Sequence, residues 1–365
     1  MAKTKPSHKR KKDRRPKDTD STAAPELLLT DAAALLQTGE PAPALVKARK
    51  ALAKLQPDPL QPTLAALPAL NLLGEISIEL GDALIAREYF ELAAELDPDG
   101  AIPESLGGGA EKFMWLAQLS EDGGHDSVTW FEKGADALRR DISRLGSSAD
   151  TQEKSNRLAA ALCATAEVFM TDLSWEADAE ARCEALVSEA VLVAPDDPPT
   201  LQTLASVRLS QDRREDAQKH LTHSLSIWRS LEPEDPAVPD FPTRISLTRL
   251  LMEAEMEDEA LEVLERLVGE DDSSVEAWYL GGWCLRLLAD KRSPDPENTL
   301  LKSCRTWLRS CRRLFDLQEY EDDRLRDHAD EILHELIPVL GEDTGEDDDE
   351  EEWEGIESDD EMDGT

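Results

Sequence analysis

From about residue 27 to residue 340, apolar side chains recur at i, i+3, i+4 and i+7, the spacing of helices that bury one face. No segment shows sustained strand alternation. The periodicity predicts helices over 27–38, 42–55, 68–80, 82–96, 112–119, 126–144, 152–172, 177–193, 200–210 and 213–231. It continues over 242–255, 258–268, 275–289, 299–316 and 322–340. Glycine and proline fall between these runs rather than inside them: Gly39, Pro57, Gly81 and Pro98 close the first four. Helical hairpins joined by short turns and repeated in tandem predict an all-α solenoid.

One unit is specific enough to name. Residues 70–98 carry Leu70, Leu73-Gly74, Leu80-Gly81-Asp82, Ala86, Phe90, Ala93 and Pro98. This resembles the tetratricopeptide repeat, whose first helix bears a large residue and a Leu-Gly pair. Its second helix bears Ala and then an aromatic four residues on, and ends at Pro. The steric logic predicts that Gly74, Ala86 and Ala93 are small where two helices cross and that Phe90 fills the groove they leave. Ala205, Ala217 and Leu221 repeat the spacing, and Trp278 with Gly282 supplies the bulky and small positions of another unit. Ala44, Ala48 and Ala51, then Phe131 and Gly134, then Cys183, Val187, Ala190 and Pro195, then Ala260, Leu264 and Leu267 match in part. The expectation is a right-handed superhelix of six to seven degenerate repeats over 25–340, closed by 322–340 as a capping helix.

Charge then limits what such a solenoid can hold. The net charge is −39. Residues 1–20 carry nine Lys/Arg and three Asp, residues 342–365 carry fifteen Asp/Glu and no Lys/Arg, and −30 is left between them. The body itself is acidic, which argues against direct binding to nucleic acid or to an anionic membrane. A cationic protein is the natural partner. The composition of 1–24 and 341–365 predicts disorder. The run Lys9, Arg10, Lys11, Lys12, Arg14 and Arg15 reads as a nuclear-localisation signal for an import receptor, or as simple solubilisation. The charged start is not a secretory leader.

Candidate chemistry is sparse. The five cysteines have no CxxC spacing and suit a reducing compartment. His220 and His223 could join a metal site but read as surface residues. Gly107-Gly108-Gly109 lacks phosphate-loop spacing and reads as a flexible linker. We therefore expect no enzyme, no cofactor and no metal, in a monomer. In the tetratricopeptide register the first helices line a concave face. That register places Asn71, Glu75, Glu79, Glu167, Gln202, Met252, Glu253, Glu276, Tyr279 and Trp283 there. Carboxylates, amides and aromatics suit an extended Lys/Arg-rich peptide.

The basic head at 9–15, the degenerate repeats with the 70–98 unit early, the AWYLGGWC segment at 277–284 and the acidic tail with Trp353 resemble a fungal family of dedicated ribosome-assembly chaperones. That family escorts the fourth large-subunit ribosomal protein. The resemblance implies a non-catalytic protein of cytoplasm and nucleus whose acidic concave face wraps a basic internal loop of that client. Acidic tetratricopeptide histone chaperones and scaffold subunits are the alternatives. The former often place their acidic run within a repeat, whereas here it lies after the repeats.

Overall fold

The computed structural model describes residues 23–58, 61–145, 149–292 and 297–341. They contain fifteen α-helices: α1 (Pro25–Gln37), α2 (Pro41–Leu55), α3 (Leu67–Glu79), α4 (Ala83–Leu96), α5 (Glu111–Gln118), α6 (Gly124–Leu145), α7 (Ala149–Met170) and α8 (Ala179–Val193). There follow α9 (Pro198–Ser210), α10 (Arg214–Trp228), α11 (Phe241–Glu253), α12 (Glu257–Glu270), α13 (Val275–Lys291), α14 (Thr299–Gln318) and α15 (Asp323–Leu340). No strand occurs among the described residues. In chain order these make seven helix pairs and a last single helix, at the upper end of the expected repeat number. The basic run Lys9–Arg15 and the acidic residues 342–365 lie outside the described residues.

The described residues fall into two compact units divided after Val207. In the first, α1/α2, α3/α4, α5/α6 and α7/α8 pack as hairpins, α2 lies against α3, and α4 against α5. In the second, α11/α12 and α13/α14 pack as hairpins, α12 lies against α13, and α15 covers both α13 and α14. Pro25, Pro41 and Pro68 stand in first turns, where no helical partner for an N–H is lost. Asp240 and Ser274 accept from the backbone N–H groups of Thr243 and Ala277, and Asp322 caps α15 in the same way. Pro338, inside the last turn of α15, and Gly74, Gly134, Gly269, Gly281 and Gly282, inside α3, α6, α12 and α13, are exceptions to the expected punctuation.

In three of the hairpins a glycine on one helix receives a large residue from the other. A methyl group on Gly74 would lie 2.4 Å from Cζ of Phe90, so the ring occupies the space a side chain would need. In α13 and α14, Gly282 faces Leu308 and Gly281 faces the indole of Trp307, with hypothetical Cβ contacts of 2.5 and 2.0 Å. In α5 and α6 the arrangement is reversed: Gly134, on the second helix, makes room for Met114 on the first. Cys183, Cys304 and Cys311 take the places that Ala86 or Ala93 hold in the 70–98 unit. All five cysteines are free and buried. Burial pushes the thiols up, to about 11 for Cys163 and about 12 for Cys304 and Cys311. They act as small core residues rather than nucleophiles.

The stretch between α4 and α5 corrects one expectation. Gly107–Gly109 is not a loose linker but a packed turn. Gly107 and Gly109 have φ of +80° and +89°, and a side chain on Gly108 would collide with the carbonyl of Ile102. Asp97, 3% exposed, organises the turn. It accepts from the N–H groups of Ala101, Ile102 and Gly109 and from Lys112 Nζ at 2.8 Å. Lys112, 1% exposed, also donates to the Gly109 carbonyl at 2.7 Å. Burial alone would raise the Asp97 carboxyl, but the ammonium and the N–H donors outweigh it and hold it below its ordinary value.

Gly74→Ala should destabilise by about 1–3 kcal/mol through overpacking against Phe90, whereas Gly269→Ala in α12, with open space around its Cα, should stabilise by about 0.5–1 kcal/mol. Denaturant unfolding of both variants reads the contrast. Lys112→Met should cost about 3–5 kcal/mol by leaving the Asp97 charge buried and unpaired, and the Asp97→Asn/Lys112→Met pair should recover part of it. The Asp97 carboxylate stabilises above its unfolded value near 3.8 and loses that contribution as pH falls through its lower folded value. The penalty of Asp97→Asn should therefore shrink in unfolding curves taken below that pH.

Candidate functional site

Each unit is considered by itself. In the first, Asn71, Glu75 and Glu79 share one face of α3, as one-turn spacing dictates. Asn71 Nδ2 donates to the Gly107 carbonyl at 2.7 Å, which ties the packed turn to this face, while its Oδ1 is buried with no partner. Glu75 is half-buried and Glu79 exposed. Burial pushes the Glu75 carboxyl up, and repulsion from Glu111 on α5 adds to the shift. Glu111 is itself engaged by Arg157 of α7, which also bonds Glu104. Among the described residues the carboxylate of Glu75 has no such cation.

Glu167 of α7 repeats the situation. Its residue is exposed, yet packing around the carboxyl raises its pKa, opposed only by the hydroxyl of Thr203 at 3.5 Å. Gln202, beside Thr203 on α9, is buried, and its Nε2 has no acceptor. A buried amide without a partner costs about 1–3 kcal/mol. In this unit two carboxyl groups are thus raised by burial, and one buried amide atom each of Asn71 and Gln202 lacks a partner among the described residues.

In the second unit, four of the expected residues meet. Met252, Glu253, Tyr279 and Trp283 line a pocket of about 580 Å³ with Leu280, Leu287, Arg249, Asp322, Arg324 and Leu325. Arg249, Met252 and Glu253 come from the end of α11, Tyr279, Leu280, Trp283 and Leu287 from α13, and Asp322, Arg324 and Leu325 from the start of α15. Tyr279 Oη and His328 Nδ1 are 2.7 Å apart, and the Trp283 ring meets His328 edge-on at 5.2 Å. Met252 is buried against the pocket floor, while Glu253 is exposed at its rim. Glu276 is committed to Arg249 rather than open to a ligand.

The wall is therefore mixed: Arg249 and Arg324 accompany Glu253 and Asp322. Sequence reasoning missed Arg249, although it lies one turn before Met252 and Glu253 in the register that found them. It also missed His328, whose contact with Tyr279 spans 49 residues and leaves no local signal.

Among the described residues no cluster of three or more His, Cys, Asp or Glu is placed to hold a metal. No helix there is long and apolar enough to cross a membrane. The pocket offers aromatic rings, carboxylates and guanidinium groups as recognition elements.

No family model matches the chain. The chain is 50% identical over 356 residues to the Emericella nidulans protein named probable assembly chaperone of rpl4, covering 92% of this chain and 89% of that protein. It is 34% identical over 303 residues to the Schizosaccharomyces pombe protein of the same name, covering 81% and 88%. A solved structure, Assembly Chaperone of RpL4 (Acl4), matches with a TM-score of 0.68 and 51% identity over 74% of this chain and 98% of that one.

The raised Glu75 carboxyl gives a prediction with a definite sign. A glutamate whose folded pKa lies above 4.5 costs stability once ionised, so Glu75→Gln should gain stability relative to the unaltered chain as pH rises through that value. Below it the two should converge. Thermal unfolding across pH 3.5–7, on the order of the range in which carboxylates titrate, measures the difference.

Proposed function

The chain belongs to the fungal family of rpl4 assembly chaperones, and from that membership we propose that it is the dedicated chaperone of a fungal Rpl4. The observation that carries the reading is half-identity along nearly the whole chain with a relative of that name. The client segment is a basic, extended stretch of the ribosomal protein, and the chaperone acts by shielding it until assembly. This is binding work and requires no catalysis.

Physical chemistry supports the choice of a cationic segment. Glu75 and Glu167 are carboxylates whose burial is not offset by a neighbouring cation. A Lys or Arg arriving from a partner would supply the missing charge, so the association gains what the free chain lacks. In the second unit, Trp283 and Tyr279 offer ring faces for an Arg guanidinium beside Glu253. Glu79 in the first unit, and Met252 and Glu276 in the second, complete the proposed contacts, the last as a holder of Arg249.

The basic run Lys9–Arg15 fits travel of the loaded chaperone between cytoplasm and nucleus through an import receptor. The acidic body leaves direct nucleic-acid or membrane binding without an electrostatic basis. The chaperone is taken to act as a monomer.

Binding of labelled peptides tiled along the basic segments of Rpl4, followed by fluorescence anisotropy, tests the reading. One segment should bind far better than histone-tail peptides of equal charge, and its affinity should fall steeply with salt. Glu75→Lys/Glu79→Lys and Glu253→Lys/Trp283→Ala should each weaken it by about tenfold or more, about 1.4 kcal/mol. Equal binding to every basic peptide, or unchanged binding in both variants, would overturn it.

A further inference from the structure

One groove of the first unit is unlike the rest of the chain in charge. It has a volume of about 580 Å³ and opens between the start of α1, the end of α2, the turn that leads into α3 and the segment 101–106. Nine of its eleven lining residues are apolar, and Glu26 supplies its one ionisable side chain, in a chain of which 33% is charged. Leu64 and Leu106 line it while 59% exposed, so the apolar surface is open to water rather than part of the core. Ile102 backs it and packs against the buried cluster of Leu67 and Leu70. The walls stand without a ligand. Asp97 fixes the N–H groups of Ala101 and Ile102, the Leu106 N–H donates to the Pro103 carbonyl at 2.9 Å, and Thr63 Oγ1 donates to the Leu55 carbonyl at 2.9 Å. A groove held open by the fold needs little ordering when it is filled, and the water it sheds favours an apolar occupant.

The groove is continuous with the carboxylate face of α3. Pro68, Asn71, Glu75 and Glu79 succeed one another at three- and four-residue spacing, which puts them on one side of the helix. Pro68 lines the groove. Asn71 holds the carbonyl of Gly107, the residue after Leu106. Pro68 and Glu75 are seven residues apart, about 10 Å at 1.5 Å per residue. About three residues of extended chain cover that distance at about 3.3 Å each. A peptide laid along α3 with a cation at Glu75 therefore brings the side chain about three residues away to the groove.

Building on the proposed role of α3 as client surface, we propose that this groove takes a bulky aliphatic or aromatic side chain of the same basic segment, about three residues from the Lys or Arg that meets Glu75. Glu26, exposed beside the apolar walls, favours a further cation next to that side chain. The recognised sequence is thus an apolar anchor set among cations, not a cationic run alone. Carboxylates attract any basic peptide, and a body of this charge draws in many. The groove discriminates among them, because a segment with a small or polar residue at that spacing leaves Leu64 and Leu106 in water.

Fluorescence anisotropy on the full chain tests this with the labelled Rpl4 peptide that binds most tightly, each of its bulky apolar residues being replaced by Ser in turn. One replacement, about three residues from a Lys or Arg, should weaken binding by about tenfold, as loss of one buried large side chain does. Leu64→Ser/Leu106→Ser should weaken the unaltered peptide by a similar factor and leave the Ser peptide unchanged, so that the two losses do not add. Unchanged binding of the Ser peptide also shows that the variant, altered at two exposed positions, is folded. Salt-sensitive binding of an Rpl4 peptide in which no apolar position couples to Leu64 and Leu106 would overturn the groove assignment and leave the proposed client standing. Failure of every Rpl4 peptide to bind would overturn both. A free chain that sediments as a smaller species once Leu64→Ser/Leu106→Ser is introduced would give the groove to a second copy and likewise overturn the proposal.

Discussion

Two helices of a hairpin can approach only as closely as the side chains at their crossing permit, and in this chain that distance is set by a missing side chain opposite a large one. The Phe90 ring sits where a Gly74 side chain would be. Leu308 does the same over Gly282, and Met114 over Gly134. The last case shows that which helix supplies the small residue matters less than the complementarity itself. Close approach also fixes which residues of the first helix remain outside. With Leu70, Leu73 and Gly74 committed inward, Asn71, Glu75 and Glu79 have only the outward face left. The proposed partner surface is a by-product of the packing that makes the repeat.

The connections add a second constraint. A lysine and an aspartate buried together are costly unless every donor and acceptor finds a partner, and Asp97 with Lys112 meets that condition by bonding three backbone N–H groups and one carbonyl. Apolar residues of similar volume would hold the turn without specifying its path. The charged pair accepts one path only, and that path brings the Gly107 carbonyl to Asn71. A polar cluster remote from any partner thereby sets the rotamer of a residue on the candidate surface.

The fold was legible because its signals are local. Spacing of three and four within a helix, and Gly or Pro at its end, recovered all fifteen helices to within a few residues. The 70–98 unit was legible because Gly74 and Phe90 lie close in sequence and their sizes are complementary. The site was legible only in part. Register alone brought out Met252, Glu253, Tyr279 and Trp283, which the structure gathers in one pocket. The ion pair of Glu276 with Arg249, 27 residues away, and the contact of Tyr279 with His328 could not be read, since nothing in either neighbourhood encodes the other. Gly107–Gly109 misled for a related reason. Three glycines look like freedom when the Asp97 and Lys112 that lock them are seen only as charges in a chain full of charges.

The electrostatics follow from the same geometry. Most carboxylates near a cation are paired in the free chain: Glu104 with Lys154 and Arg157, Glu189 with Arg139, Glu270 with Arg244. Those left under-compensated, Glu75 and Glu167, lie on first helices. Burial raises the energy of the ionised Glu75 and Glu167 in the free chain. That energy is recoverable only by a cation that arrives from elsewhere. A chain that paired all its carboxylates internally would be more stable and would have less to gain from a basic partner. Under the proposed function, this imbalance is what a cationic segment of the client would relieve.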